Sequence, residues 1–121
     1  MLKMRRILIV EDEDDSREGL RMLLEASGYD VETAADGIDG LAKLESCSAD
    51  AAIIDIDLPG MNGYDIARNA RSNEALRRVK LIALTGFGRA KDRQAAHEAG
   101  FDRHLTKPVS FATLRNEIEQ R

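Results

Sequence analysis

The stretch Ile7-Leu8-Ile9-Val10-Glu11-Asp12 decides the fold, because a short apolar run ends there in two adjacent carboxylates. Four consecutive apolar residues are typical of a strand that is buried on both faces of a parallel sheet. A second run, Ala51-Ala52-Ile53-Ile54, ends in the same way at Asp55. Two buried strands that each end in an acid predict a parallel sheet with one acidic edge.

Segments with helical spacing separate the apolar runs. The first predicted helix carries Leu20, Leu23 and Leu24, and the second carries the stripe Ile38, Leu41 and Leu44. Gly28 stands where glycine commonly ends a helix, and Asp36 is a predicted N-cap of the second helix. The spacing of the three leucines in the first helix predicts that they pack in the core.

Three further strands complete an alternating pattern. They are predicted near residues 31–34, 79–84 and 103–105, with helices near residues 64–71 and 90–99 and after a capping Ser110. Five strand–helix units in strict alternation imply an α/β fold with a five-stranded parallel sheet and helices on both faces. Right-handed crossovers favour the flavodoxin-like order 2-1-3-4-5, in which ligands bind at the carboxyl ends of strands 1 and 3.

Length and composition indicate one globular domain. The 121 residues, 43% hydrophobic and 33% charged, are expected to form a single domain over residues 1–121. The formal charge of −4 argues against nucleic acid as a direct partner, because phosphate binding requires a basic face. The longest uncharged stretch, residues 81–88, is too short to span a membrane. The single cysteine, Cys47, allows no internal disulfide, so a cytoplasmic location is expected.

Three acidic residues are expected to meet at the carboxyl edge of the sheet. Glu11 and Asp12 follow strand 1, and Asp55 follows strand 3. Carboxylates that converge in one crevice repel each other, so a bound cation is expected to neutralise them. Oxygen ligands with no nearby histidine or cysteine favour a hard ion, Mg²⁺ or Mn²⁺, over Zn²⁺.

Two hydrogen-bond donors are predicted at the same edge. Thr85 follows strand 4, and Lys107 follows strand 5 immediately before Pro108. Their hydroxyl and ammonium groups are suited to an anion. A cation, an anion-binding lysine and a carboxylate nucleophile together fit phosphoryl transfer, in which positioning and charge neutralisation provide most of the catalysis.

The order and spacing of four motifs resemble those of response-regulator receiver domains of bacterial two-component signalling. The motifs are Ile7-Leu8-Ile9-Val10-Glu11-Asp12, Ile54-Asp55-Ile56-Asp57-Leu58-Pro59-Gly60-Met61-Asn62-Gly63, Leu84-Thr85-Gly86 and Lys107-Pro108. Each motif is weak evidence alone. All four in this order, over essentially the whole chain, make the resemblance specific.

The resemblance implies a phosphoacceptor switch domain rather than an enzyme that acts on other substrates. Asp55 would accept a phosphoryl group from a phosphohistidine on a sensor histidine kinase or a histidine phosphotransfer protein. Asp12 would bind Mg²⁺ directly, Glu11 through water and Asp57 through its backbone carbonyl. Lys107 would contact the phosphoryl oxygens, and Thr85 would move to hydrogen-bond them.

The chain departs from the family pattern at His104, three residues before Lys107, where tyrosine or phenylalanine is frequent. His104 is interpreted either as a solvent-facing strand residue or as the switch side chain that fills the space vacated by Thr85. In the second case, the output surface is the face of helix 4, strand 5 and helix 5. Glu11 and Gly86 stand where aspartate and alanine are common, and these changes are expected to affect switching and rates.

Three other functions share parts of this pattern. Asp55-Ile56-Asp57 is similar to the paired aspartates of haloacid-dehalogenase-type phosphatases, but the late segment carries Lys107 and no acid pair. A pseudo-receiver usually lacks one of the acids or the lysine, whereas this chain has them all. A flavin carrier of the same topology requires a hydroxyl-rich phosphate loop after strand 1, where this chain is acidic. Whether the domain is free-standing or part of a larger protein stays open.

Overall fold

The computed structural model describes residues 5–86 and 90–120, in which five strands alternate with five helices. The strands are β1 (Arg6–Val10), β2 (Asp30–Ala34), β3 (Ala51–Asp55), β4 (Lys80–Thr85) and β5 (Arg103–Thr106). The helices are α1 (Asp14–Ala26), α2 (Gly37–Ser46), α3 (Gly63–Arg71), α4 (Ala90–Ala99) and α5 (Phe111–Glu119). A one-turn 3₁₀ helix over Glu74–Leu76, absent from the sequence-based prediction, precedes β4. The predicted domain span of 1–121 also includes residues 1–4, 87–89 and 121, which lie outside the described residues.

The strands form one parallel sheet in the predicted order β2-β1-β3-β4-β5. β1 lies between β2 and β3, so the chain leaves β1 toward one edge of the sheet and leaves β2 toward the other. A crevice opens between the carboxyl ends of β1 and β3 at this change of direction. The predicted α/β fold class is confirmed. None of the described helices is long and apolar enough to cross a membrane.

Alternation of side chains along the strands divides the core into two layers. One layer contains Ile7, Ile9, Ile53, Ile82 and Leu84 together with Leu24 of α1 and Leu114 and Ile118 of α5. The other contains Leu8, Val10, Ile54, Leu81 and Ala83 together with apolar residues of α2, α3 and α4. Helices therefore cover both faces, as an all-parallel sheet with apolar strands requires.

The prediction that Leu23 lies in the core was wrong. Leu23 is 49% exposed, whereas Leu24 is fully buried and Leu20 is partly buried. Successive residues of a helix lie about 100° apart, so two neighbouring leucines cannot both point at the sheet. α1 contacts the sheet along the line through Leu20 and Leu24, which turns Leu23 toward solvent. The direction in which α1 packs, and not the spacing, decides between them.

The first turn of α2 contacts the loop after β3 rather than the core. Leu44 is fully buried and Leu41 is partly buried, but Ile38 at the start of the stripe is 66% exposed. A Cβ atom placed on Gly37 would lie 1.7 Å from the carbonyl oxygen of Met61. Because a backbone atom cannot give way at that distance, glycine alone allows α2 to approach the β3–α3 loop so closely.

Side-chain caps fix helix starts at the predicted positions. The Asp36 carboxylate accepts a hydrogen bond from the Asp39 N–H at 2.8 Å, and the Ser110 hydroxyl accepts one from the Thr113 N–H at 3.1 Å. Gly28 has φ 97°, the left-handed conformation that commonly follows the end of a helix. These local predictions are confirmed.

Arg71, the last residue of α3, joins segments at the amino ends of β4 and β5. Its guanidinium donates hydrogen bonds at 2.9–3.2 Å to four carbonyl oxygens, those of Leu76, Arg77, Val79 and Gly100. It also pairs at 2.7 Å with the Asp102 carboxylate, which accepts a hydrogen bond from the Leu81 N–H at 2.8 Å. One side chain therefore satisfies backbone groups of the 3₁₀ helix, the start of β4 and the α4–β5 loop.

We predict that Arg71→Gln lowers the free energy of unfolding by about 2–4 kcal/mol, because partly buried carbonyl groups lose their donor. Arg68→Gln on the same helix is the matched control, since Arg68 is exposed and its described ion pair is with Asp65. Its cost is expected to stay below about 1 kcal/mol. Urea unfolding of both variants measures the difference, and equal losses would contradict the role assigned to Arg71.

Candidate functional site

The carboxylates that follow β1 and β3 meet at the carboxyl edge of the sheet. Val10 pairs with Ile54 in the register of the two strands, so Glu11 and Asp55 come next to each other. One oxygen from each of Glu11, Asp12 and Asp55 lies within 4.8 Å of the others. The structure thus brings together the three acids that the sequence places at this edge.

Backbone donors orient the two inner carboxylates. Glu11 and Asp55 are only 6% and 5% exposed, while Asp12 is exposed. Glu11 Oε2 accepts a hydrogen bond from the Glu13 N–H at 3.3 Å, and Asp55 Oδ1 accepts one from the Asp57 N–H at 3.0 Å. Each donor stands two residues farther along the chain, where the strand turns into its loop. The turns after β1 and β3 therefore hold both carboxylates in the crevice.

Lys107, just after β5, brings a positive charge to the two buried acids. Its Nζ lies 2.8 Å from Asp55 Oδ2 and 3.3 Å from Glu11 Oε1. Its backbone N–H donates to the carbonyl oxygen of Thr85 at 2.7 Å, and the Lys107–Pro108 peptide bond is cis. The backbone contact ties the β5–α5 loop to the end of β4, so the lysine is placed by the chain as well as by charge.

Burial and neighbouring charges shift the pKa values of Glu11 and Lys107. Burial raises the pKa of Glu11, and the nearby Asp55 carboxyl raises it further. Burial acts to lower the pKa of Lys107, but the hydrogen bond to Asp55 and the charges of Asp55 and Glu11 outweigh it, so this pKa is raised. Three acids and one lysine leave an excess of negative charge, which favours a cation in the crevice.

The remaining predicted site residues are Thr85, Asp57 and His104. Thr85 is the last residue of β4 and is 4% exposed. The Asp57 side chain is exposed, and its backbone N–H is the group bound to Asp55. His104 pairs with Ala83, two residues before Thr85, so it lies farther down the sheet and does not belong to the carboxylate cluster.

A largely apolar cleft of about 490 Å³ adjoins the cluster on the side of α1. Its lining consists of Ile9, Val10, Glu11, Glu13, Ser16, Leu20, Ile53, Leu84, Lys107, Pro108 and Val109. Glu11 and Lys107 therefore contribute both to the carboxylate cluster and to this cleft. The volume lies within the range of about 300–1,000 Å³ that is common for binding pockets, so a group that approaches Asp55 has room beside it.

Sequence analysis missed the contribution of Arg17 in α1. Its guanidinium donates to the carbonyl oxygen of Glu11 at 3.0 Å and pairs with Asp14 at 2.5 Å. Arg17 thereby braces the turn that carries Glu11 and Asp12. In the sequence it stands in a run of charged residues that is typical of a solvated helix surface, so its spacing carried no signal of this contact.

The donor set fits a hard divalent cation. The cluster offers carboxylate oxygens, and within the described residues no histidine or cysteine belongs to it. Mg²⁺ and Mn²⁺ prefer such ligands, whereas Zn²⁺ prefers nitrogen and sulfur. Cys47 packs against the core at the end of α2, where burial raises its pKa, and His97 is exposed on α4.

Sequence comparison identifies related proteins. The family model of the response regulator receiver domain matches residues 7–119. The DNA-binding dual master transcriptional regulator RpaA of Synechocystis is 33% identical over 111 residues, which cover 92% of this chain and 46% of RpaA. This chain spans about half the length of RpaA and of the mycobacterial regulators MprA and RegX3, which it also matches.

Structural comparison finds similar chains of nearly equal extent. The receiver domain of the sensor histidine kinase PA1611 from Pseudomonas aeruginosa PAO1, solved with a magnesium ion coordinated in its active-site cleft, is 34% identical, with a TM-score of 0.88 and coverage of 97% of this chain and 96% of that one. The chemotaxis response regulator CheY4 of Vibrio cholerae is 29% identical, with a TM-score of 0.91 and coverage of 97% and 98%. Together with the match over residues 7–119, the common sheet order and the acidic crevice, these likenesses establish that the chain belongs to the response regulator receiver domains, the phosphoacceptor switch domains of two-component systems.

Proposed function

We propose that Asp55 takes a phosphoryl group from a phosphohistidine and that the domain transmits this event through a conformational switch. The observation that carries the proposal is the pairing of Asp55 with Lys107 inside a cluster of three acids. A carboxylate at the end of a strand is suited to act as a nucleophile, and the adjacent ammonium is suited to bind an anion. The domain then catalyses only its own phosphorylation and dephosphorylation.

The proposed reaction is a displacement at phosphorus. A carboxylate oxygen of Asp55 forms a bond to the phosphorus atom of the phosphohistidine. The bond from phosphorus to the imidazole nitrogen breaks, and its electron pair remains on that nitrogen, which takes up a proton. The product is an acyl phosphate on Asp55, whose oxygens the Lys107 ammonium neutralises. Attack of water on phosphorus later releases phosphate and restores the carboxylate.

Mg²⁺ is the cofactor that we propose, with Mn²⁺ as a substitute. Asp12 and Asp55 would bind the ion directly, Glu11 through water and Asp57 through its backbone carbonyl. When bound, the ion neutralises negative charge on the phosphoryl group in transfer. The convergence of three carboxylates supports this assignment, as does the magnesium ion in the cleft of PA1611.

The proposed phosphodonor is a sensor histidine kinase or a histidine phosphotransfer protein. The cleft lined by Glu11 and Lys107 gives such a protein a surface beside the acceptor. RpaA is a DNA-binding regulator, but the charge of −4 on this chain favours proteins over nucleic acid as its direct partners. We also propose that residues 1–121 form one domain and that the protein is cytoplasmic, a location that the single cysteine favours.

Thr85 and His104 are proposed to carry the switch. His104 pairs with Ala83, and side chains alternate along a strand, so His104 and Thr85 lie on the same face of the sheet. Phosphorylation adds acceptor oxygens near Thr85, and movement of its hydroxyl toward them would free space for His104. The output surface is then the face of α4, β5 and α5, with phosphorylation shifting the populations of two packings.

Asp55→Asn is expected to abolish phosphorylation, because the variant lacks the carboxylate nucleophile. Wild-type protein incubated with acetyl phosphate and Mg²⁺ should gain one phosphoryl group, which mass spectrometry detects and hydroxylamine removes, since acyl phosphates react with that nucleophile. Stoichiometric uptake by Asp55→Asn at the native rate would assign the acceptor to another residue.

Asp12→Asn is expected to abolish Mg²⁺-dependent phosphorylation, because it removes a charged ligand of the ion and leaves Asp55 in place. Asp15→Asn is the matched control, since Asp15 is an exposed acid in the first turn of α1 and lies outside the cluster. The rate of phosphorylation is measured against Mg²⁺ concentration for both variants, with circular dichroism to follow the fold. An unchanged dependence in Asp12→Asn would remove Asp12 from the ligand set.

Stability at low pH tests the environment of His104. Burial lowers the pKa of His104, and the charge of Arg93 lowers it further, while the charge of Asp92 acts in the opposite direction. The titratable and charged groups around the ring are Asp92, Arg93 and His97 of α4 and Asp102 and Arg103 at the start of β5. Below about pH 6.5 the unfolded chain binds a proton that the folded protein resists, so this contribution to stability falls as the pH drops.

The expected outcome is a larger loss of unfolding free energy between about pH 7.5 and about pH 5.5 in wild type than in His104→Asn. Groups common to both proteins, Glu11 among them, cancel in this difference. Equal pH slopes would contradict the burial of a neutral imidazole.

Ring signals of His104 that stay unchanged in NMR spectra on addition of beryllofluoride would place this residue outside the switch.

A further inference from the structure

A small recess between α4 and the start of β5 lies away from the carboxylate cluster. Its volume is about 170 Å³, and its polar lining consists of Arg93, His97, Asp102, Arg103 and His104. Four of these five side chains carry basic nitrogen atoms, and one carries a carboxylate. The composition of the lining therefore favours an anion.

Two charged residues of the recess are already paired within the molecule. The pairs are Asp102 with Arg71 at 2.7 Å and Arg103 with Glu117 at 2.8 Å. Arg93 and His97 are exposed, and neither has a hydrogen bond or ion pair to another of the described side chains. The guanidinium of Arg93 therefore adds to the recess a positive charge that forms no ion pair with the described carboxylates.

The ring of His104, which also lines the recess, has no hydrogen-bond partner within the described residues. Both ring nitrogens are buried, and within residues 5–86 and 90–120 neither has a hydrogen-bond partner. A neutral imidazole carries one N–H donor, and a buried donor without an acceptor is destabilising. An acceptor that enters the recess would remove this cost.

We propose that the recess binds a side-chain carboxylate of the protein that receives the output of this domain. The inference rests on the proposed function, in which α4, β5 and α5 form the output surface. The volume lies below the range of about 300–1,000 Å³ that is common for small-molecule pockets, so one side-chain group fits better than a nucleotide-sized ligand.

Charge distinguishes a carboxylate from a phosphate group at this place. Asp102 lines the recess, and Asp92 acts on His104 from α4, so two carboxylates stand near the bound anion. Their repulsion is stronger for a dianion than for a monoanion. A carboxylate also matches the planar guanidinium of Arg93, which can donate two parallel hydrogen bonds to it.

Acetate is the probe for this site. Histidine ring signals of the whole protein are followed by NMR at neutral pH while acetate replaces chloride at constant ionic strength. The His104 signals are expected to shift and to saturate. Arg93→Gln should weaken acetate binding about tenfold, because it removes a charge-assisted interaction. Lys91→Gln, at an exposed position of the same helix outside the recess, should bind acetate like wild type.

Several results would overturn the proposal. The first is that the His104 signals respond to acetate no differently than to chloride. The second is equal acetate binding by Arg93→Gln and wild type, and the third is tighter binding of inorganic phosphate than of acetate. Phosphorylation of Asp55 is measured in the same samples. Weakened acetate binding with normal phosphorylation in Arg93→Gln supports the recess, whereas a wild-type protein that binds acetate but takes up no phosphoryl group overturns the proposed function instead.

Discussion

The ion pair between Lys107 and Asp55 depends on the whole sheet, because its partners come from strands that are not neighbours. β4 lies between β3, which carries Asp55, and β5, which precedes Lys107. The Lys107 N–H bonds to the last residue of β4 at 2.7 Å, and the side chain then reaches both Asp55 and Glu11. Burying two carboxylates costs free energy, and this single ammonium offsets part of that cost. The residual negative charge makes the edge a site for a cation and, with it, for phosphoryl transfer.

The two ends of the sheet contribute differently to stability and function. At the amino ends, opposite charges and carbonyl groups are matched, as in the bonds of Arg71 and in the contacts of Arg6 with Asp30 and with the carbonyl oxygen of Cys47. At the carboxyl ends, like charges are brought together. Hydrogen bonds and ion pairs at the amino ends can hold the strands in register. Their stabilisation offsets the repulsion between the carboxylates that the site requires at the carboxyl ends.

Local patterns in the sequence predicted much of the fold correctly. The strict alternation of apolar runs and helical segments leads to the parallel order, and short-range caps such as Asp36 and Ser110 depend on residues three positions away. Sequence patterns gave a wrong prediction or none for features that depend on the packing direction of a helix or on contacts between residues distant in the chain. Leu23 and Leu24 are equivalent by composition, yet only Leu24 is buried, and the contact of Arg17 with the turn after β1 has no counterpart in its spacing.

The sequence by itself determined that acids, a threonine and a lysine stand at the carboxyl ends of strands 1, 3, 4 and 5. Parallel strands necessarily present these ends at one edge of the sheet, so these residues meet there. The sequence also specified that the cluster offers only oxygen ligands, since the identity of each side chain determines which atoms it can offer to a metal. The tertiary structure alone decided that Lys107 contacts Asp55 more closely than Glu11, that Gly37 meets Met61, and that both nitrogens of His104 are buried beside the positive charge of Arg93. These facts depend on side-chain distances across strands and helices that are far apart in the chain, and no local periodicity encodes such distances.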